Sequence, residues 1–296
     1  MRWGLIALWL ALAGLGAAPP REAEPLVMSP EWLAARLSDP ELVVLQVSSL
    51  RDDYEREHVP GARFLWPSWL AVSTPEASFE MPPVDSLTAV LRRLGVSNDS
   101  RIVLCHVLGD AAGTARVYVT LDYLGLGDRT HILDGGLAAW KAAGLPVSTA
   151  ESGHAAGTFT PAVRAGAVVD LATLRERYAT PGVQLLDARS AKDYNAVPTR
   201  SVLRGGHIPG ARNLPFAALF DTLDRYQSLD SLRVRFARAG LAPGGELITY
   251  CYVGRTACPA YVAARMLGYD VRLYDGSYSQ WARREELPVE IAPRGE

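Results

Sequence analysis

HIPGARNL, at His207–Leu214, repeats HVPGARFL, at His58–Leu65, and the pair is one of several matches. Upstream, VVLQVSSLRDDY (Val43–Tyr54) matches QLLDARSAKDY (Gln184–Tyr194). Downstream, ILDGGLAAW (Ile132–Trp140) matches LYDGSYSQW (Leu273–Trp281), and Leu-Pro-Val follows both. The order is the same in each half. A repeat of this length is too long for a solenoid unit and reads as a duplicated domain. The 296 residues are enough for two cores of ordinary size. Residues 25–147 are expected to form one domain and residues 167–293 the other. Residues 148–166, rich in Ala, Gly, Ser and Thr with no sustained period, are expected to link them.

Within each half, short β-rich runs (LVVLQV, RIVLC, THILD; VQLLDA, ELITYC, VRLYD) alternate with segments of helical spacing (SPEWLAARL, TARVYVTLDYLG; DLATLRERY, CPAYVAARMLG). Runs such as VVLQV are apolar on both faces, as strands of a parallel sheet are when helices cover both sides. The expected class is α/β, two similar domains, each a mainly parallel sheet with helices on both faces. Gly125 and Gly268 follow helical runs and suit C-terminal caps. Pro60 and Pro209, each before Gly-Ala, mark tight turns.

Composition narrows the function. Lys plus Arg number 30 and Asp plus Glu 32, with no long basic block, which argues against nucleic acid as a partner. Three cysteines are not a disulfide framework, and at least one thiol is left unpaired within the chain. No metal-ligand spacing is present, and neither metal nor cofactor is expected. The first residues, MRWGLIALWLALAGLGAAPP, have the pattern of a secretory signal, so residues 1–24 read as signal peptide and N-terminal tail. Leu15 and Pro19 make a poor cleavage site, which keeps an uncleaved membrane anchor as the alternative. Either way the body is expected outside the cytoplasm, periplasmic or secreted.

The chemistry concentrates in YCYVGRTAC (Tyr250–Cys258). If ELITY is a buried strand and PAYVAARML a helix, Cys251 stands at the carboxyl end of a parallel strand, where ligand sites form in open α/β sheets. The loop then enters a helix N-terminus, whose free N–H groups and dipole favour an anion. Gly254 can adopt φ > 0 and let successive amides curl into a nest. Arg255 adds a charge and Thr256 a hydroxyl. Such surroundings favour thiolate over thiol. Cys258, on the first helical turn, reads as packed, or alternatively as a resolving thiol for Cys251. Superposing RIVLCHVLGD on ELITYCYVGR puts Cys105 on Tyr250 and His106 on Cys251, so the first domain lacks the nucleophile. His58 and His207 recur in both halves, including the half without a nucleophile, which points to a structural role; Asp134 and Asp275 recur likewise.

Together the duplication, the GHIPGA segment (Gly206–Ala211), the CYVGRT loop and the YDGS…W segment resemble the tandem-domain rhodanese sulfurtransferases of the thiosulfate and 3-mercaptopyruvate type. The likeness covers about Pro25 to Pro293. It implies a persulfide cycle on Cys251, with the amides of Tyr252, Val253, Gly254, Arg255, Thr256 and Ala257 around the sulfur, and an inactive first domain. Arg189, in LLDARS, matches the arginine that members use to hold an anionic donor. Arg200 and Arg204 lie in an insertion that the first half lacks and are further candidates. As an exposed cleft arginine, Arg189 should be removable with little effect on folding.

The resemblance implies transfer of a sulfane sulfur from a small anionic donor to cyanide or a thiol; an acceptor protein is not identifiable. Members of the thiosulfate type carry a cationic pair after the cysteine and those of the mercaptopyruvate type carry small residues. Tyr252 and Val253 are neither, and their bulk favours thiosulfate. Two alternatives remain: a 3-mercaptopyruvate sulfurtransferase, and a non-enzymatic extracytoplasmic persulfide carrier or sensor. A cysteine phosphatase would need an arginine six positions after Cys251, where Ala257 stands.

Overall fold

The structure is a computed structural model that describes residues 24–75, 77–196 and 204–291. The expected signal segment up to residue 23 and Arg200 lie outside the described residues.

The first half contains β1 (Val27–Met28), α1 (Pro30–Ala34), β2 (Leu42–Val47), α2 (Arg51–Arg56), β3 (Arg63–Leu65), α3 (Val84–Arg93), β4 (Arg101–His106), α4 (Ala111–Tyr123), β5 (Thr130–Leu133) and α5 (Gly136–Ala142). The second half repeats it: β6 (Val168–Val169), α6 (Leu171–Arg177), β7 (Val183–Asp187), α7 (Ala191–Tyr194), β8 (Arg212–Asn213), α8 (Leu229–Arg238), β9 (Glu246–Tyr250), α9 (Cys258–Met266), β10 (Asp270–Tyr274) and α10 (Ser277–Ala282). Each half builds a five-stranded sheet, in the order β1-β5-β4-β2-β3 and β6-β10-β9-β7-β8. All the pairings between these strands are parallel.

The two-residue period of the strands sends alternate side chains to opposite layers. In β4, Ile102 and Leu104 enter the core shared with α3 and α4, while Val103 and Cys105 enter the layer of α1 and α5. In β9, Leu247 joins the first core, and Ile248 and Tyr250 join the layer of α6 and α10. The first core is continuous across the two domains, through α4 packed on α9. The helix that follows β9 in the second domain is thus fixed on its counterpart in the first.

The repeated sequence marks have structural causes. Pro60-Gly61 and Pro209-Gly210 form turns closed by Ala62 N–H on the Val59 carbonyl (2.9 Å) and Ala211 N–H on the Ile208 carbonyl (3.1 Å). Gly at the third turn position meets the need for φ > 0, here +78° and +76°. Trp140 and Trp281, both buried, donate their indole N–H to the carbonyls of Pro146 and Pro288 (2.8 Å each), which accounts for the W…LPV pattern. His58 and His207 stack on Tyr54 and Tyr194 and place Nδ1 against the carbonyls of those same residues. The stretch 149–166 has no helix or strand, yet it is not a free tether. Phe159 is buried, Gly157 N–H donates to the Arg92 carbonyl (2.8 Å) and Arg164 N–H to the Tyr123 carbonyl (2.8 Å). It runs as a strap along the first domain. No described helix is long and apolar enough to cross a membrane.

Candidate active site

Sheet register fixes the comparison between the halves. Gln46 pairs with Cys105 and Val47 with His106, and in the second sheet Asp187 pairs with Tyr250. Cys105 therefore stands where Tyr250 stands, and His106 where Cys251 does.

Cys251 is the first residue beyond β9 and only 1% exposed. Its N–H donates to Ser277 Oγ (3.2 Å) and its carbonyl accepts the Tyr278 N–H (3.0 Å); the Tyr252 carbonyl accepts the Ser279 N–H (3.0 Å). The cysteine is thereby stitched to the start of α10. The chain then curls. Gly254 has φ +78°, and a Cβ there would stand 2.5 Å from the Asp275 carbonyl oxygen, so both conformation and space demand glycine. The curl closes with Cys258 N–H on the Arg255 carbonyl (3.2 Å), and Pro259 opens α9, where its missing N–H costs nothing. Among the described residues, none of the N–H groups of Tyr252 to Ala257 meets a protein acceptor. Unpaired amides beside a helix start and a nearly buried cysteine form a cradle for negative charge.

The flanking side chains are less free than the sequence suggests. Tyr252 is 59% exposed, so its ring lies at the mouth of the loop and does not fill it. Val253 and Thr256 are half-buried, and Gly254 and Ala257 are buried. Arg255, expected to offer its charge to an anion, instead reaches the first domain: Nη2 lies 2.7 Å from Asp110 Oδ1. Arg189 corrects a second expectation. It is 7% exposed, not an exposed cleft residue. Nε and Nη2 grip the Asp187 carboxylate (3.0 and 2.5 Å), and Nη2 also donates to the Gly206 carbonyl (2.8 Å). The guanidinium lies over the Tyr278 ring at 3.9 Å, and Nη1 has no protein partner among the described residues. Arg204 is engaged elsewhere, donating to the carbonyls of Arg284 and Leu287 (2.7 Å each), and so ties down the C-terminal turn.

Sequence reading missed Arg116. It sits on α4 of the first domain, fully buried, and donates from Nη1 to the Gly254 carbonyl (3.2 Å) and from Nη2 to the Phe79 carbonyl (2.9 Å). It also pairs with Asp275. The available signal was a lone cation in the apolar run of TARVYVTLDYLG, since arginine is almost never fully buried unless paired.

Two reciprocal clasps frame the site. Val72 bridges Glu80 in the first domain and Phe220 bridges Tyr226 in the second. Met81 N–H donates to Asp275 Oδ2 (2.7 Å), while Tyr226 N–H donates to Asp134 Oδ1 (3.1 Å). Each domain thus covers the loop end of the other, which gives the recurring Asp134 and Asp275 their common purpose. The loops beneath differ. In the first domain, Gly109 N–H already holds the Asp224 carboxylate (2.5 Å). His106 is buried with both ring nitrogens unpartnered, and burial takes its pKa down to about 4, against smaller opposing effects of Asp224 and Asp110. In the second domain, Cys258 donates its thiol to the Gly254 carbonyl (3.1 Å), and burial pushes it up to about 12 despite Arg116 nearby. Burial likewise pushes Cys105 up to about 12.

Among the described residues no group of three or more His, Cys, Asp or Glu is placed to hold a metal ion. A cleft of about 970 Å³ between Arg129–His131 and Tyr226–Leu229 does not include Cys251.

The sequence pattern of the rhodanese-like domain matches this chain twice, over residues 29–143 and 170–284. The chain belongs to the rhodanese family of sulfurtransferases. Among its relatives, a Pseudomonas aeruginosa protein named probable 3-mercaptopyruvate sulfurtransferase is 35% identical, over 89% of this chain and 97% of its own. A thiosulfate sulfurtransferase of Azotobacter vinelandii is 32% identical, over 90% and 97%. The solved structure of SseA from Escherichia coli, described as a 3-mercaptopyruvate sulfotransferase, superposes with a TM-score of 0.77 at 27% identity, covering 86% of this chain and 99% of that one. This rhodanese thus has relatives named for either donor.

Proposed function

We propose that this rhodanese transfers a sulfane sulfur from thiosulfate through a persulfide on Cys251 to a thiophilic acceptor. The observation that carries the reading is the set of unpaired amides from Tyr252 to Ala257 curled beside a nearly buried cysteine. The Cys251 thiolate attacks the outer sulfur of thiosulfate. The sulfur–sulfur bond of the donor breaks, a new one forms to Cys251, and sulfite departs with the bonding electron pair. The terminal sulfur carries the negative charge, which the loop amides hold. Cyanide or a thiolate then takes that sulfur and returns the Cys251 thiolate, a double displacement.

Thiosulfate suits this site because an anion without a carboxylate needs no planar fork. The fork of Arg189, Nε and Nη2, is closed on Asp187. A second reading, 3-mercaptopyruvate as donor, is favoured by Arg189 Nη1, which has no protein partner among the described residues, and by the name of the Pseudomonas relative. Intact-mass measurement after mixing with each donor tests both: one added sulfur atom on Cys251 with thiosulfate supports the proposal. Faster loading from mercaptopyruvate would replace the donor. No added sulfur from either would leave a carrier or sensor that is loaded by another protein.

A further inference from the structure

Resting on that reading, we propose that Arg116, supplied by the domain without a nucleophile, is a positioning residue for the cysteine loop.

The peptide between Gly254 and Arg255 is planar and trans, so the Gly254 carbonyl and the Arg255 N–H point in opposite directions. The carbonyl is fixed on one side by two donors, Arg116 Nη1 at 3.2 Å and the Cys258 thiol at 3.1 Å. The Arg255 N–H is therefore turned to the other side, into the curl of unpaired amides. Glycine at 254 permits this orientation but does not select it, because its peptide plane rotates freely. Arg116 selects it. The same guanidinium pairs with Asp275, whose other oxygen receives the Met81 N–H of the first-domain clasp at 2.7 Å. Arg116 thus joins three parts of the molecule at one point: α4, the clasp and the loop of the other domain.

Stability does not explain the residue. A fully buried ion pair is often no better than packed apolar side chains. Arg116 also leaves its Nε buried without a partner, an added cost. Its neighbours on α4, Ala115, Val117, Tyr118 and Val119, are buried members of the shared core, so an apolar side chain would suit the helix. What an apolar side chain would lose is the hold on the Gly254 carbonyl. The domain without a nucleophile thereby takes a part in the chemistry: it carries the N–H donor that aims the loop.

The test is Arg116→Lys, which keeps a cation beside Asp275 but lacks the planar fork that reaches both carbonyls. Three quantities are measured: thermal midpoint, alkylation rate of Cys251 by iodoacetamide, and loading rate of Cys251 from thiosulfate. A misaimed amide should slow alkylation and saturated loading by about tenfold each, with KM within about twofold, because the amide acts on charge at sulfur more than on donor binding. A folded variant with wild-type alkylation and loading rates would overturn the inference, as would a change confined to KM. If the wild type takes no sulfur from either donor while Arg116→Lys still slows alkylation, the sulfurtransferase reading fails and the positioning role stands. Should Arg116→Lys not fold, the double variant Arg116→Gln with Asp275→Asn leaves no buried charge unpaired, and the same losses are expected of it.

Discussion

Arg255 Nη2 and Asp110 Oδ1 meet at 2.7 Å, joining the cysteine loop of one domain to the corresponding loop of the other. Asp110 also accepts the Ser49 N–H (2.9 Å) and hydroxyl (3.1 Å), so it is held in place from its own side. The positive charge nearest Cys251 in the sequence is therefore already balanced by a carboxylate from the first domain. An anionic donor has to compete with Asp110 for it.

Asp110→Asn should free Arg255 while keeping an acceptor for Ser49. Arg255 is 38% exposed, so the pair is screened and worth about 1 kcal/mol, or about a fivefold change. KM for thiosulfate should fall by about that factor with kcat little changed, whereas Arg255→Ala should raise it. Steady-state kinetics of the two variants decide the matter. An unchanged KM in both would mean that Arg255 serves only to tie the domains together.

Much of this was legible in the sequence, for identifiable reasons. The duplication and the parallel sheets followed from repeated octets and from strands apolar on both faces, and the equivalence of His106 with Cys251 survives in the sheet register. The curl at Gly254 followed from the strand, glycine and helix order. What was hidden is what crosses between domains. Arg116, Asp110 and the clasps at Val72–Glu80 and Phe220–Tyr226 act across the domains on residues 92 or more positions away, and no local period or propensity encodes such contacts. The short edge strands β3 and β8 were hidden too, since two or three residues carry no alternation.

Burial decides what a substitution of Arg189 does to the fold. Because Asp187 is fully buried, Arg189→Ala would strand its carboxylate and cost about 3–5 kcal/mol of stability. Arg189→Lys keeps the charge but gives up the fork, and it should fold. If the free Nη1 edge binds the donor, the specificity constant for thiosulfate should fall about tenfold with a thermal midpoint close to wild type. A wild-type constant would assign Arg189 to supporting Asp187 and the Gly206 carbonyl alone.

Thiol chemistry separates the three cysteines. Cys105 and Cys258, pushed by burial up to about 12, remain protonated at about pH 8, and the thiol form is not the nucleophile. Native protein treated with iodoacetamide at that pH should gain one label, on Cys251, and unfolded protein should gain a label on every cysteine. Peptide mapping checks it. A label on native Cys258 would show that the first turn of α9 opens, and would reinstate that residue as a candidate resolving thiol.

His106 makes a prediction about pH. Its ring is buried, without hydrogen-bond partners, and its folded pKa of about 4 lies below the unfolded value of about 6.5. The unfolded chain therefore binds the proton first as pH falls. Stability is greatest above about pH 6.5 and is lost progressively down to about pH 4, by up to about 3 kcal/mol from this group. This sign is opposite to that of a histidine stabilised by a carboxylate, whose contribution would grow on acidification. Asp224 and Asp110 both lie near enough to oppose the shift, but desolvation is the larger effect. His106→Gln, which cannot take up the proton, should narrow the difference in urea midpoint between about pH 7 and about pH 4.5 relative to wild type. Because His106 lies in the first domain, persulfide loading on Cys251 at neutral pH should stay within about twofold of wild type. An undiminished pH difference in the variant would mean that the ring is hydrated and charged in the folded protein, and that the loop after β4 is open to water.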